Sequence, residues 1–300
     1  MLEPPPGVDD ADVLAELRRA WDGDVDRLAY QQVGFGAHHW AAYVGAEPRL
    51  FVTYDEPQGA EAAADLEAAY AGAVALRAGG LEFVLAPLAT AIGRLTVPFA
   101  RGSLSCSPWR DGTSEPPLDV SWTTAVLRRL HDAPPPPGLP RWRPKVDPDF
   151  AETTTRLTRQ EWGPGPFADT ARGAVRGRLR EIERWTERYH HLGDVARGRP
   201  WVAAHGEPHD GNQLLTAEGR FLVDWDTLRL APAELDLRTL VENGVPPAEI
   251  GADPEMVELF DLEWRLDEIS QYAAWFAAPH TGTRDDEIAF GGLRDELARP

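Results

Sequence analysis

The spacing of apolar positions changes along the chain, and each change marks an element. Val13, Leu14, Leu17 and Trp21 recur at helical spacing behind Asp9 and Asp10, either of which can cap, so a helix is expected over residues 9–21. From Tyr30 the pattern shortens towards period two. It predicts antiparallel strands around 31–35, 39–44 and 49–54, the last two joined by the turn Gly45-Ala46-Glu47-Pro48. Residues 58–78 return to the helical period, with Ala62, Leu66, Ala69, Ala73 and Leu76 on one face. Two strands, 83–86 and 94–99, precede Leu104-Ser105-Cys106-Ser107-Pro108-Trp109, and Pro108 with the polar run Arg110-Asp111-Gly112-Thr113 marks a break.

The second half reads as helical with one interruption. Val126, Leu127 and Leu130 give a helix over 119–133, which the proline run 134–137 ends. An irregular insertion is expected through residue 166, followed by one long amphipathic helix over 167–191 carrying Val175, Leu179, Ile182, Trp185 and Tyr189. Around Leu214-Leu215 a short strand and turn lead into the apolar run Phe221-Leu222-Val223. Phe260, Trp264, Tyr272 and Trp275 belong to an apolar helix over 254–276, and residues 277–282 to a loop.

Composition narrows the classes. The 300 residues contain no run of 18 apolar positions, so no membrane span is expected, and the acidic, proline-rich start lacks a signal-peptide pattern. Cys106 is the single cysteine, which excludes an internal disulfide and fits a reducing, cytoplasmic setting. With 49 acidic and 30 basic residues the net charge is −19, a field that repels nucleic acid and suits cationic ligands, although solubility accounts for it equally well. Of the 30 basic residues only Lys145 is a lysine, so any role that needs a lysine elsewhere is closed.

The candidate chemistry lies in residues 201–226. One polar cluster is His205-Gly206-Glu207-Pro208-His209-Asp210-Gly211-Asn212; the other is Asp224-Trp225-Asp226. Glu207 precedes Asn212 by five positions, and Asp224 closes an apolar strand twelve further on. Two carboxylates and a carboxamide are hard oxygen donors of the kind Mg²⁺ takes. The spacing matches the catalytic loop of kinase-type phosphoryl transfer. His205 and His209 have zinc-like spacing, but the Gly and Pro between them oppose the helix such a pair needs. Asp224 and Asp226 could also be an ordinary solvated strand end.

Together these clusters resemble the HGDxHxxN…(I/V)DW signature of aminoglycoside phosphotransferases and their small-molecule kinase relatives. The resemblance implies an α+β, two-lobed protein-kinase-like fold, with residues 1–107 as the nucleotide-covering lobe and 108–300 as the lobe holding the catalytic loop and substrate cleft. It places Glu207 as catalytic base, Asn212 and Asp224 as Mg²⁺ ligands, and His205 and Asp236 as structural supports of the loop. The turn Gly34-Phe35-Gly36 would cover the phosphates, and the stretch around Ser107 would meet the base of ATP or GTP through its backbone. The acceptor would be a hydroxyl of a small molecule, with no nucleic-acid or membrane partner. Asp226, Glu263 and Asp267 are candidates to face a cationic acceptor, with a solvated surface as the plainer alternative. Glu61 and Glu67 read as solvated.

Two positions depart from the family's pattern. Thr53 stands where a phosphate-binding lysine is expected, and loss of such a charged donor costs about 1.5–3 kcal/mol. Glu207 adds a methylene to the usual aspartate. A catalytically impaired, nucleotide- or ligand-binding pseudokinase is therefore a second reading, and a sugar or amino-alcohol kinase a third.

Overall fold

The computed structural model describes residues 1–34, 36–56, 59–114 and 116–299. Helix α1 (Asp10–Ala20) is capped by Asp9, whose carboxylate accepts from Ala11 N at 2.8 Å. Strands β1 (Arg27–Gln31), β2 (His38–Val44) and β3 (Glu47–Asp55) form an antiparallel meander. Helix α2 (Gly59–Ala78) leads to β4 (Thr96–Phe99) and β5 (Gly102–Pro108), which complete a sheet of order β1-β2-β3-β5-β4. Next come β6 (Gly112–Thr113), α3 (Val120–Asp132), α4 (Phe150–Arg159), α5 (Ala168–Gly177) and α6 (Leu179–Ala196). Short strands β7 (Val202–Ala204), β8 (Gln213–Thr216), β9 (Gly219–Leu222) and β10 (Arg229–Ala231) frame the polar clusters, and α7 (Glu234–Glu242), α8 (Pro247–Ile250), α9 (Pro254–Ala277) and α10 (Arg284–Ala298) finish the chain. The fold is α+β, as the sequence implies. No helix among the described residues is long and apolar enough to cross a membrane.

The chain forms two compact units: Met1–Trp142 with Trp201–Val245, and Arg143–Pro200 with Pro246–Pro300. A division after residue 107 falls inside the first. In that unit the alternation of β3 sorts its side chains. Leu50, Val52 and Tyr54 join Trp40, Ala42, Leu104 and Cys106 in a core against Val13 and Leu17 of α1. Phe51, Thr53 and Asp55 take the other face, opposite Ser107, Ser105 and Ser103 of β5. Beyond the sheet, β8 and β9 make a hairpin joined by β6, and β7 pairs with β10.

In the second unit α9 is the central helix, packed by α5, α6 and α10. Its buried Leu259, Phe260, Leu266 and Ile269 share the core with Ile182, Tyr189 and Leu192 of α6. Phe167 stacks on Phe290 at 4.9 Å and meets Phe276 edge-on at 5.9 Å.

Several expected boundaries move. The first strand is 27–31 rather than 31–35, because pairing of Gln31 with His39 leaves residues 32–37 as the connection. Residues 83–86 are not a strand; Val84 makes only an isolated bridge to Leu222. Residues 104–108, which lead to the break expected at Pro108, belong to β5. Inside the expected irregular insertion lies α4, hidden because its buried positions are Thr154 and Thr158 instead of large apolar residues. The long helix over 167–191 is two helices, broken at Arg178, whose backbone leaves helical values (φ −117°) just after Gly177. A C-terminal helix, α10, carries a Thr283–Asp286 capping box that the apolar pattern did not display.

Candidate active site

The loop after β7 is held from beneath by one buried carboxylate. Asp236, in the first turn of α7 and fully buried, accepts from His205 N at 3.0 Å and Gly206 N at 2.7 Å, and pairs with His131 Nε2 at 2.8 Å. His205 is itself fully buried. Its Nδ1 accepts from Glu207 N at 3.2 Å, which leaves Nε2 to donate to Val223 O at 2.9 Å. Burial holds this imidazole below its usual pKa, in keeping with the neutral tautomer. The ring lies 4.6 Å from Trp225, so one histidine ties the loop to the strand end. Gly206 (φ 102°) is required here, because a Cβ would approach Thr227 Oγ1 to 2.8 Å.

The same tie fixes the backbone of Glu207 on both sides. Its carbonyl accepts from Asn212 Nδ2 at 2.9 Å. That bond orients the amide and leaves Asn212 Oδ1 as the acceptor able to meet a cation. Asn212 N in turn donates to His209 O at 3.1 Å, and its carbonyl accepts from Val223 N at 3.0 Å. The loop and the second polar cluster therefore form one hydrogen-bonded body.

Asp224 follows with φ 64°, a left-handed conformation for a residue with a Cβ. Such a conformation costs on the order of 1 kcal/mol and clusters at functional sites. Asp224 is exposed as a residue. Desolvation, then Asp55 and Glu207, push its carboxyl up to about 7. Asp226 is pushed well above the carboxylate range by burial and by Asp224 and Glu207, while Arg229 pulls the other way. Asp55 rises to about 8 through burial and the charge of Asp226. Asp55, Asp224 and Asp226 therefore hold their protons more tightly than exposed carboxylates, through desolvation first and neighbouring negative charge second.

The fit to Mg²⁺ rests on this donor set. Among the described residues, no three His, Cys, Asp or Glu side chains converge as a ready-made metal cage. Asn212 Oδ1 and the Asp224 carboxylate would suit the one or two protein oxygens that Mg²⁺ takes when phosphates and water complete its shell. Asp55 Oδ2 is sealed from solvent without a hydrogen-bond partner, an orphaned acceptor beside the same carboxylates.

After β1, Gly34 (φ 67°) and Gly36 (φ 104°) both take positive φ; Phe35, the middle residue of the expected turn, lies outside the described residues. Thr53 Oγ1 is 3.2 Å from His39 Nδ1, and the His39 ring stacks on Phe51 at 4.9 Å. His39 Nε2 lies 3.4 Å from where a Gly34 Cβ would stand. Histidine and threonine therefore occupy the face on which a lysine is expected. Burial, then the charges of the Met1 ammonium and His38, lower the His39 pKa to about 4. The folded value lies below the unfolded one, so this contribution to stability is complete at neutral pH and lost as pH falls through 6.5 towards 4. From pH 7.5 to pH 5 wild type should lose at most about 2 kcal/mol through this group. Urea unfolding at both values should show His39→Gln losing correspondingly less.

The remaining candidates separate. Ser107 sits on β5 opposite Phe51. Glu67, read as solvated, instead accepts from Leu95 N at 3.0 Å and Thr96 N at 2.8 Å and pairs with Arg94, anchoring the entry to β4. In the second unit, Glu263 is buried and accepts from Tyr189 Oη at 2.5 Å, and Asp267 pairs with Lys145 Nζ at 2.7 Å. Both are engaged within their own unit. Sequence reasoning missed Asp55; strict alternation from Phe51 through Thr53 was the signal that placed it on the site face.

Residues 29–275 match the phosphotransferase enzyme family. The sequence is 29% identical over 251 residues to Protein StrN of Streptomyces griseus, covering 77% of each chain. In fold it is similar to a spectinomycin phosphotransferase solved with ADP and spectinomycin, with TM-score 0.71 at 17% identity over 98% of this chain and 96% of that one. A microcompartment-associated aminopropanol kinase is similar with TM-score 0.59 at 14% identity, over 96% of both chains. The matched segment begins in β1, ends in α9 and contains both polar clusters, and by that match the chain belongs to the phosphotransferase enzyme family.

Proposed function

We propose that this enzyme transfers the γ-phosphoryl group of ATP or GTP to a hydroxyl of a small, amine-bearing molecule such as an aminoglycoside or aminocyclitol, in the cytoplasm and with Mg²⁺. In this reading residues 1–107 cover the nucleotide, through Gly34–Gly36 and the backbone near Ser107, and residues 108–300 supply the catalytic loop and acceptor cleft. The observation that carries the reading is the coupling of Glu207, Asn212 and Asp224 into one body through His205 and Asp236. Positioning of this kind is most of what phosphoryl transfer asks of a protein.

Glu207 would orient the acceptor hydroxyl and take its proton as the oxygen attacks phosphorus. Its backbone is pinned on both sides, so the extra methylene is absorbed by the side chain alone. Asn212 Oδ1 and Asp224 would hold Mg²⁺, which when bound neutralises phosphate charge and aligns the transferred group. The solved neighbours include an aminopropanol kinase, and a small amino alcohol is the acceptor to set against aminoglycosides.

A screen of aminoglycosides, aminocyclitols and amino alcohols, read by ADP release, tests the assignment. With the best acceptor, Glu207→Gln should lower kcat by about 10²–10⁴-fold with KM nearly unchanged. An unchanged kcat would remove Glu207 from the role of base. No ADP release with any acceptor, together with no nucleotide binding, would sink the kinase reading.

A further inference from the structure

Strand β2 opens with two adjacent histidines, and alternation along the strand sends them to opposite faces. His38 takes the side of Trp40, where its Nδ1 lies 2.9 Å from Tyr30 Oη and its ring 6.3 Å from that of Tyr54. His39 takes the other side, directly across from Thr53 in the β2–β3 ladder. Its ring is fixed twice: Nδ1 lies 3.2 Å from Thr53 Oγ1, and the ring stacks on Phe51 at 4.9 Å with 27° between the planes. The outer nitrogen is left over. Nε2 has no hydrogen-bond partner among the described residues, and it lies 3.4 Å from where a Cβ on Gly34 would stand. A side chain at position 34 would crowd that nitrogen, so glycine keeps it open.

We propose that His39 Nε2 donates a hydrogen bond to the nucleotide phosphates, so that β2 supplies the contact for which a lysine on β3 is expected, and that Thr53 positions the ring. The proposal rests on the phosphotransferase reading above, in which the Gly34–Gly36 turn covers those phosphates. A phosphate oxygen only accepts. Nε2 must therefore carry the ring proton, and Nδ1 must accept the hydrogen of the Thr53 hydroxyl. Threonine at the lysine position thus selects the tautomer. The contact needs no charge on the imidazole, which burial keeps neutral at pH 7.

Calorimetric titration of ADP with Mg²⁺, and of adenosine, into wild type, His39→Phe and His39→Gln tests this. Phenylalanine keeps a ring against Phe51 and removes both nitrogens, whereas glutamine returns an N–H near the place of Nε2. His39→Phe should weaken ADP binding by roughly 10–100-fold and leave binding of adenosine, which has no phosphate, unchanged. His39→Gln should recover most of the loss. A merely structural role would weaken both ligands together. An ADP-to-adenosine affinity ratio in His39→Phe equal to that of wild type overturns the proposal, and so does a glutamine variant no better than the phenylalanine one. If wild type binds neither ligand, the kinase reading falls and this proposal with it. If wild type binds ADP and the ratio is unaltered in His39→Phe, the kinase reading stands and only the role of His39 is lost. Should adenosine bind too weakly to titrate, or His39→Phe not fold, NMR of wild type labelled with ¹⁵N-histidine gives a second measurement. The His39 signals are those absent from His39→Gln. Adding ADP and Mg²⁺ should move the Nε2 signal with its proton retained, and in Thr53→Val that proton should shift towards Nδ1. Unmoved His39 signals, or a proton on Nδ1 in the wild-type complex, overturn the assignment.

Discussion

Asp224→Asn should lower phosphoryl transfer by about 10³-fold, several kcal/mol of lost transition-state stabilisation, while the melting temperature of the metal-free protein does not fall. Asparagine is the informative replacement. Asp224 sits at φ 64°, a conformation that asparagine tolerates better than most residues with a Cβ, so the backbone is kept while the charge is removed. One negative charge also leaves the region shared with Asp55, Asp226 and Glu207, which relieves repulsion. Loss of activity with unchanged or higher stability is thus the signature of a residue placed for function. A melting temperature lowered by more than a few degrees would assign Asp224 to the fold instead.

Asp236→Ala should show the opposite profile. The carboxylate is fully buried and serves His205 N, Gly206 N and His131 together. Its removal strands two backbone donors and a histidine, a loss of about 3–5 kcal/mol. The unfolding midpoint should drop by on the order of 10 °C, read by circular dichroism. Activity should fall as well, because the loop that fixes Glu207 and Asn212 loses its anchor. A variant as stable as wild type would mean that His131 and the loop find other partners, and the loop would not then be held through α7.

The family to which the loop belongs was legible in the sequence because the signature depends on residue type and spacing. His205, Glu207, Asn212 and Asp224 stand in an order that few unrelated segments share. Elements lined by small or branched polar residues were not legible in the same way. Helix α4 buries Thr154 and Thr158, which carry no apolar signal, and the break at Arg178 follows a glycine within an otherwise continuous helical period. Glu67 looked solvated because its partners, the backbone of Leu95 and Thr96, lie 28 and 29 residues away and show no pattern. Asp55 sits between two visible signals. Its place on the face of Phe51 and Thr53 follows from alternation along β3, but the orphaning of its Oδ2 is a property of the assembled fold alone.

The chain leaves the first unit at Trp142 and rejoins it at Trp201, while the second unit begins at Arg143, pauses at Pro200 and resumes at Pro246. Neither unit is a continuous stretch, and this constrains synthesis. Once the first 142 residues have emerged, the five-stranded sheet is complete, but His131 still lacks Asp236, and β6 lacks β8. The next residues to appear belong to the other unit, which in turn waits for α9. At about 5–20 residues per second, the nascent chain spends several seconds with both units unfinished. Codon usage and chaperone access across residues 143–245 should therefore influence yield more than equal changes near either end.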